Sequence, residues 1–296
     1  MCTTRPLCPS RRFALPLSPA GWRGPAAALL LVAFAAGAQP APAPPAAPVV
    51  VVPTVSASLL SQAAETIFVR EARKANLAKA YNVNRGTVSR ARHGADPLIA
   101  IAAEYLPAAA DWTWTLGVET RENPVAYVLP GGKIMVSTGF FERMRLTDAE
   151  YSALLAHTLA HALLGRDTAA AVAEYDRRRG STAPDPDTNR AAIELGEVLG
   201  KVVLSEHYDP AAEAEADTLA LQLLAKAGID PAASIEAWGK VMRAGGATVP
   251  GFLVLHPVRQ DRISAMEAQL PAAIKAYQQT LASQPPAQGS VPRPRR

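Results

Sequence analysis

Apolar residues recur at helical spacing through much of the chain. Between Ser56 and Ala80 they fall three or four positions apart, which predicts an amphipathic helix. Asp96-Pro97 predicts the start of a second helix, since proline is favoured at the first helical position. The same Asp-Pro signal predicts helices over Asp209 to Gly228 and Asp230 to Gly245, and Asn189 to Glu206 is also predicted to be helical.

A shorter period marks the region before the central helix. From Trp112 to Val118 apolar and polar residues alternate, which predicts a half-buried strand. Val125 to Leu129 and Lys133 to Ser137 are two further strand candidates, and Pro130-Gly131-Gly132 between them predicts a tight turn. The predicted fold is therefore α+β and mostly helical, with a small β-sheet or hairpin before the central helix.

The central helix has clear boundary signals. Thr147-Asp148-Ala149-Glu150 has the form of a capping box, with threonine at the N-cap and glutamate three residues later. Gly165 is typical of a helix end. Ala173 to Thr188 contains Arg-Arg-Arg-Gly and Pro-Asp-Pro, which predicts a loop.

Both ends of the chain are predicted to lie outside this fold. Residues 1–38 combine arginines with an apolar run that ends in small residues, which predicts a signal peptide; an uncleaved anchor is the alternative. Residues 39–55 are predicted to be a proline-rich linker, and residues 284–296 a disordered basic tail. The folded domain is expected over residues 56–283, in a protein exported to a bacterial periplasm.

Charge and cysteine content exclude several function classes. The chain has 30 Lys and Arg against 26 Asp and Glu, and residues 1–38 hold four arginines and no acid. No net positive field remains beyond them, so a basic nucleic-acid-binding domain is excluded. The two cysteines, Cys2 and Cys8, also lie in that segment, which leaves no thiol nucleophile or cysteine-ligated metal site elsewhere.

Candidate metal ligands lie on two of the predicted helices. His157 and His161 are four residues apart, so their side chains project from one face and could bind one zinc ion. Glu213 could supply a third ligand from a later helix. Asp217, one turn further on, could accept the second ring N–H of a ligand histidine. The alternatives are core histidines with satisfied N–H groups and a solvated acidic face.

These residues and their flanks resemble a known family. His157-Thr158-Leu159-Ala160-His161 and Glu213-Ala214-Glu215-Ala216-Asp217 are similar to the His-Glu-x-x-His and Glu-x-x-x-Asp motifs of HtpX-like and CAAX-prenyl-protease-type gluzincin metallopeptidases, especially small exported bacterial members. The turn at Pro130-Gly131-Gly132 and the late His256-Pro257 and Arg262-Ile263 continue the likeness, which covers roughly residues 75–276.

The resemblance implies a zincin-like fold with one zinc ion. His157, His161 and Glu213 would be the ligands, and Asp217 would orient a ligand histidine. His256 would be a removable fourth ligand, with an ordinary loop histidine as the alternative. Unfolded or extended polypeptide, including envelope assembly proteins, would be the partner, bound by strand addition at an exposed sheet edge. Peripheral association with a membrane is compatible with the same resemblance.

One position departs from the family pattern. The residue after the first histidine is a glutamate in the family and acts as the general base, whereas here it is Thr158. A hydroxyl does not titrate near neutral pH, and loss of a positioned base costs about 10²–10⁴-fold in rate. The sequence thus predicts a pseudopeptidase that binds polypeptide. The alternatives are an active zinc metalloendopeptidase in periplasmic protein quality control and a metal-free scaffold.

Overall fold

The computed structural model describes residues 55–180, 188–204, 209–244 and 256–283, and most of them are helical. The helices are α1 (Ala57–Leu77), α2 (Arg85–Tyr105), α3 (Gly139–Glu142), α4 (Asp148–Leu164), α5 (Arg166–Arg179), α6 (Thr188–Leu204), α7 (Pro210–Lys226), α8 (Ala232–Ala244) and α9 (Gln260–Ser283). The predicted signal peptide, the linker up to residue 54 and the basic tail lie outside the described residues. The proposed domain bounds, 56–283, stay a prediction.

A three-stranded sheet completes the fold and confirms the predicted α+β class. Its strands are β1 (Thr115–Glu119), β2 (Ala126–Leu129) and β3 (Lys133–Ser137), in the order β1-β3-β2. The predicted hairpin is present, since β2 and β3 pair antiparallel. Its turn places Gly131 and Gly132 at φ 76° and 80°, a left-handed conformation that favours glycine.

Parts of both edges of this sheet are covered. Every residue of β2 is buried, with at most 6% of its surface exposed. At β1, Asn82 occupies the outer edge, because its N–H donates to the carbonyl of Val118 and its side chain accepts from the N–H of Val118, both at 2.8 Å. Val118 is therefore not available for the predicted strand addition, which otherwise stays a prediction.

The second helix begins earlier than predicted. α2 starts at Arg85, where the side chain of Asn84 accepts hydrogen bonds from two backbone N–H groups, and Pro97 lies inside the helix. The buried face runs through the proline at helical spacing, formed by Ala91, Ala95, Leu98 and Ala102. Burial of this face and the Asn84 cap therefore outweigh the local signal of Asp96-Pro97.

Two other boundaries also differ from the prediction. α5 extends to Arg179 through the first half of the predicted loop 173–188, where Glu174 pairs with Arg177 and Arg178 at helical spacing. Residues 181–187 lie outside the described part. The predicted strand from Trp112 is shorter, because a 3₁₀ helix at Pro107–Asp111 precedes it and pairing with β3 begins at Thr115.

The helix that bears both histidines runs through the core. Nearly every residue of α4 is buried, against α2, α7, α8 and β2. Its large apolar side chains, such as Leu154 and Leu159, pack in one cluster with the sheet and with α7 and α8. A second cluster joins α1, α5 and α6. Within the described residues, no helix has the length and apolar character needed to cross a bilayer.

Candidate metal centre

α4 is fixed at both ends, as its boundary signals predict. Thr147 Oγ1 accepts a hydrogen bond from the backbone N–H of Glu150 (3.3 Å), and Glu150 Oε2 accepts one from that of Thr147 (2.7 Å). Lys240 of α8 donates to the same glutamate oxygen at 2.6 Å, which ties the start of α4 to α8. Gly165 ends the helix at φ 69°. The predicted capping box and helix end are confirmed.

Four side chains from separate parts of the chain converge beside α4. His157 and His161 come from α4, Glu213 comes from the first turn of α7, and His256 precedes α9. Their donor atoms all lie within 4.8 Å of one another. His157 is fully buried and Glu213 is 3% exposed. The structure thus brings together the three predicted ligands and the predicted fourth.

The separations between these atoms fit a small tetrahedral ion. His157 Nε2 lies 3.2 Å from His161 Nε2 and 3.2 Å from His256 Nδ1. Glu213 Oε1 lies 3.1 Å from His161 Nε2 and 3.0 Å from His256 Nδ1. Ligand atoms about 2.0–2.1 Å from a tetrahedral zinc ion are separated by about 3.3 Å, and zinc accepts imidazole and carboxylate ligands. The residues present therefore fit zinc.

Asp217 lies behind the first histidine, where the sequence predicted it. Its Oδ1 is 2.9 Å from Nδ1 of His157. This contact favours the tautomer with its proton on Nδ1, which leaves Nε2 free to face the other donor atoms. A carboxylate in this position also fixes the orientation of the ring.

Arg262 holds both carboxylates of the centre, a role that the sequence analysis missed. Its Nη1 lies 2.8 Å from Glu213 Oε2, and its Nε lies 2.6 Å from Asp217 Oδ2. Its guanidinium stacks on the ring of Trp238 at 4.3 Å, and its Nη1 donates to the carbonyl of Pro257 at 3.1 Å. The sequence signal that could have indicated this role was the position of Arg262 in the motif Arg262-Ile263, which resembles the family.

Hydrogen bonds outweigh burial at the two carboxylates. Burial raises the pKa of Glu213, but hydrogen bonds from the three histidines hold this pKa far below its usual range. Burial opposes the charge on Asp217 as well, yet hydrogen bonds from Arg262 and His157 lower its pKa to about 2. Both side chains are therefore anionic near pH 7, as metal binding requires.

The buried histidines respond in opposite directions. Burial lowers the pKa of His256 to about 3, so its ring is neutral near pH 7. Burial also lowers the pKa of His157, but the hydrogen bond with Asp217 outweighs it and raises that pKa overall. A metal ion would therefore displace a proton when it binds to His157.

Thr158 follows His157 directly and turns its hydroxyl towards its own helix. Thr158 Oγ1 donates to the carbonyl of Leu154 at 2.9 Å, and the residue is 5% exposed. The hydroxyl proton is thus engaged within α4. A threonine side chain cannot take up a proton near neutral pH as a carboxylate can.

The chain matches known metallopeptidases over much of its length. Residues 98–270, more than half of the chain, match Peptidase family M48. Mitochondrial metalloendopeptidase OMA1 of Bos taurus is 28% identical over 64% of this chain and 38% of its own length. The Danio rerio protein is 31% identical over 55% and 36%, and that of Saccharomyces cerevisiae 29% over 56% and 50%. The chain therefore spans half or less of the length of these relatives.

The predicted location in a bacterial periplasm is contradicted by these relatives, which are named as mitochondrial proteins. The error has a compositional cause. Residues 1–38 are rich in arginine and contain no acid, and this composition is shared by secretory signals and mitochondrial transit peptides.

The family match and the metal centre coincide in the chain. All four donor residues, Asp217 and Arg262 fall within residues 98–270. The donor set also fits zinc, the metal on which this family depends. Sequence and geometry agree that the chain belongs to Peptidase family M48, a family of zinc-dependent metallopeptidases.

Proposed function

We propose that this chain binds extended polypeptide at its metal centre and hydrolyses it weakly or not at all. The observation that carries this proposal is Thr158, which stands where the family has its general base. Its hydroxyl donates to the carbonyl of Leu154 and is directed into α4. Without a positioned base, the rate of hydrolysis falls by about 10²–10⁴-fold.

The neighbouring carboxylates are poorly placed to replace the missing base. Glu213 contacts three imidazoles and Arg262, and Asp217 contacts Arg262 and His157. Their depressed pKa values make both carboxylates weak proton acceptors. Hydrolysis would require either residue to give up contacts that hold the centre together.

His157, His161 and Glu213 would hold the zinc ion. His256 also presents a donor atom, and four protein ligands make a closed site, whereas catalytic zinc sites keep one position open. When bound, zinc polarises a carbonyl group and lowers the pKa of bound water. His256 would therefore have to move aside before a polypeptide carbonyl could reach this position.

An active zinc metalloendopeptidase is the second candidate function. The intact donor set favours it, with Asp217 and Arg262 in place behind the ligands. The relatives are also named metalloendopeptidases. A metal-free scaffold is a third candidate, which measurement of bound zinc would separate from the other two.

Partner and location are part of the same proposal. Unfolded or extended polypeptide is the proposed partner, including proteins under assembly. Nucleic acid is not proposed as a partner. The names of the relatives make a mitochondrial location the better proposal. The narrower likeness to HtpX-like and prenyl-protease members, and peripheral association with a membrane, also stay proposals.

Thr158→Glu tests the proposal directly. We expect the natural protein to bind an unfolded casein substrate with little or no cleavage, and Thr158→Glu to raise the cleavage rate by about 10²-fold or more. Thr158→Gln is the matched control, since it has the same length but no basic carboxylate. Cleavage is followed with and without a chelator, beside the zinc content of each variant.

Two results would contradict the proposal. Cleavage by the natural protein as fast as by Thr158→Glu, abolished by chelation and restored by zinc, would establish the active endopeptidase. Absence of casein binding by the folded natural protein would remove the polypeptide-binding function.

A further inference from the structure

A large cavity opens at the end of α4, immediately after the second histidine of the metal centre. Its volume is about 710 Å³, within the range of about 300–1,000 Å³ that is typical of ligand sites. Its walls come from α1, the 3₁₀ segment up to Trp112, the hairpin turn at Gly131, the end of α4 and the first half of α5. None of the four donor residues of the metal centre is among the residues that line this cavity.

The walls are mainly apolar and carry a single charge. Leu60, Leu106, Trp112 and Leu164 line the cavity and are all only half-buried. Such partly exposed apolar side chains would be better shielded from water by an apolar ligand. The one charged residue among the lining residues is Asp111.

This single charge discriminates between two classes of apolar ligand. A fatty acid or phospholipid has an anionic head group, which Asp111 would repel and which no lysine or arginine of the lining would bind. A polypeptide backbone is neutral and needs hydrogen-bonding partners. Ser58, Ser61 and Gln62 supply neutral hydroxyl and amide groups along the α1 wall.

The cavity is partly built from a segment outside the family match. α1 ends at Leu77, before residue 98, where the match to Peptidase family M48 begins. The opposite wall consists of residues 162–165, which directly follow His161 in α4. A ligand in the cavity would thus contact the α1 wall, which the family match does not include, together with residues that the match includes.

We propose that this cavity binds an apolar segment of extended polypeptide whose flanks are neutral or basic. The inference rests on the proposed polypeptide-binding function and names the kind of segment that the chain selects. The cavity is larger than any single side chain, so apolar side chains at alternate positions of an extended segment would enter it together.

The test measures binding of a defined peptide to the full-length chain. The probe is a fluorescein-labelled peptide, Lys-Leu-Val-Phe-Leu-Lys, and the matched peptide has serine at the four apolar positions. We expect saturable binding of the apolar peptide by fluorescence anisotropy and at least tenfold weaker binding of the serine peptide. Oleate is added as a competitor to represent anionic apolar ligands.

Two substitutions locate the binding in the cavity. Leu60→Asp places a charge in its α1 wall, and Val69→Asp, on the same helix, is the matched control because Val69 is 52% exposed and does not line the cavity. We expect Leu60→Asp to weaken peptide binding at least tenfold and Val69→Asp to leave it within about twofold. Ser58→Trp, at an exposed position on the rim, should fill the cavity without disturbing the core.

The outcomes separate this inference from the proposed function. Unchanged peptide affinity in both Leu60→Asp and Ser58→Trp, with each variant folded, would overturn the cavity as the binding site. Displacement of the peptide by oleate at lower concentration than by unlabelled peptide would overturn the choice of polypeptide over lipid. Casein binding is measured in the same samples: its absence in the natural protein contradicts the proposed function, whereas its full retention in both cavity variants contradicts this inference alone.

Discussion

The metal centre and the apolar cavity share helix α4, where cavity residues 162–164 directly follow His161, yet the two are built in opposite ways. In the centre, Glu213 and Asp217 are surrounded by imidazoles and by the guanidinium of Arg262. In the cavity, the walls are apolar and Asp111 is the one charged residue. The first arrangement suits a small cation and the second an apolar chain. The proposed binding of a metal and the proposed binding of a polypeptide would therefore depend on different side chains, and Thr158 belongs to neither set.

The largest expected effect comes from removing one histidine of the centre. His161→Ala should lower bound zinc below one equivalent, because it removes one of the four donor side chains and leaves His157, Glu213 and His256. Peptide binding in the cavity should change by less than about threefold if the two regions act separately. His93→Ala, at an exposed position of α2, is the control. Full retention of zinc by His161→Ala would show that the metal lies elsewhere.

A smaller effect is expected from substitution of Arg262, which contacts both carboxylates of the centre but is not one of the four donor residues. Arg262→Met leaves two buried carboxylates without their cation, so we expect a loss of about 3–5 kcal/mol in the free energy of unfolding. Arg259→Met is the matched control, since the Arg259 side chain is 75% exposed, and its effect should stay within about 0.5 kcal/mol. Both are measured by urea unfolding in the presence of chelator. Equal stability of the two variants would refute this role for Arg262.

The smallest effect concerns the helix that both regions share. Burial raises the pKa of Glu150, but hydrogen bonds from Lys240 and Thr147 outweigh it and lower that pKa below 4.5. Its stabilisation is therefore complete above this value and is lost as the pH falls through the lowered pKa. Glu150→Gln should cost about 1 kcal/mol at pH 7, and the difference from the natural protein should shrink towards pH 3.

Urea unfolding at several pH values measures this difference. Because α4 carries both the histidines and one cavity wall, zinc content and peptide binding of Glu150→Gln at pH 7 should stay unchanged while the protein is folded. A difference between the two proteins that is constant from pH 7 to pH 3 would contradict the ionic contribution of Glu150.

The sequence predicted those parts of the fold whose signals are local. The capping box at Thr147, the stop at Gly165 and the hairpin turn at Pro130-Gly131-Gly132 are each set by a few neighbouring residues, and the structure contains all three. Asp96-Pro97 is also a local signal, but here the buried face of α2 continues through it. Tertiary burial thus decided that helix boundary.

The candidate site was predictable to the extent that its residues recur in a motif. His157, His161, Glu213 and Asp217 have the family spacing, and the structure brings them together. Arg262 reaches the centre from α9, and no spacing rule relates it to the carboxylates of α7. The cavity is still harder to predict, since its walls come from elements far apart in sequence. Its size and lining depend on how closely these elements pack against one another.

The joint between α4 and α5 has a mechanical consequence. Gly165 is the whole connection, because α4 ends at Leu164 and α5 begins at Arg166. The N–H of Gly165 donates to the carbonyl of His161 at 3.1 Å, so this hydrogen bond closes the turn that bears the histidine. The first half of α5 lines the cavity, so a movement of α5 would also move Gly165. A displacement of the cavity wall would thereby be transmitted to the backbone of His161 through the main chain and its hydrogen bond.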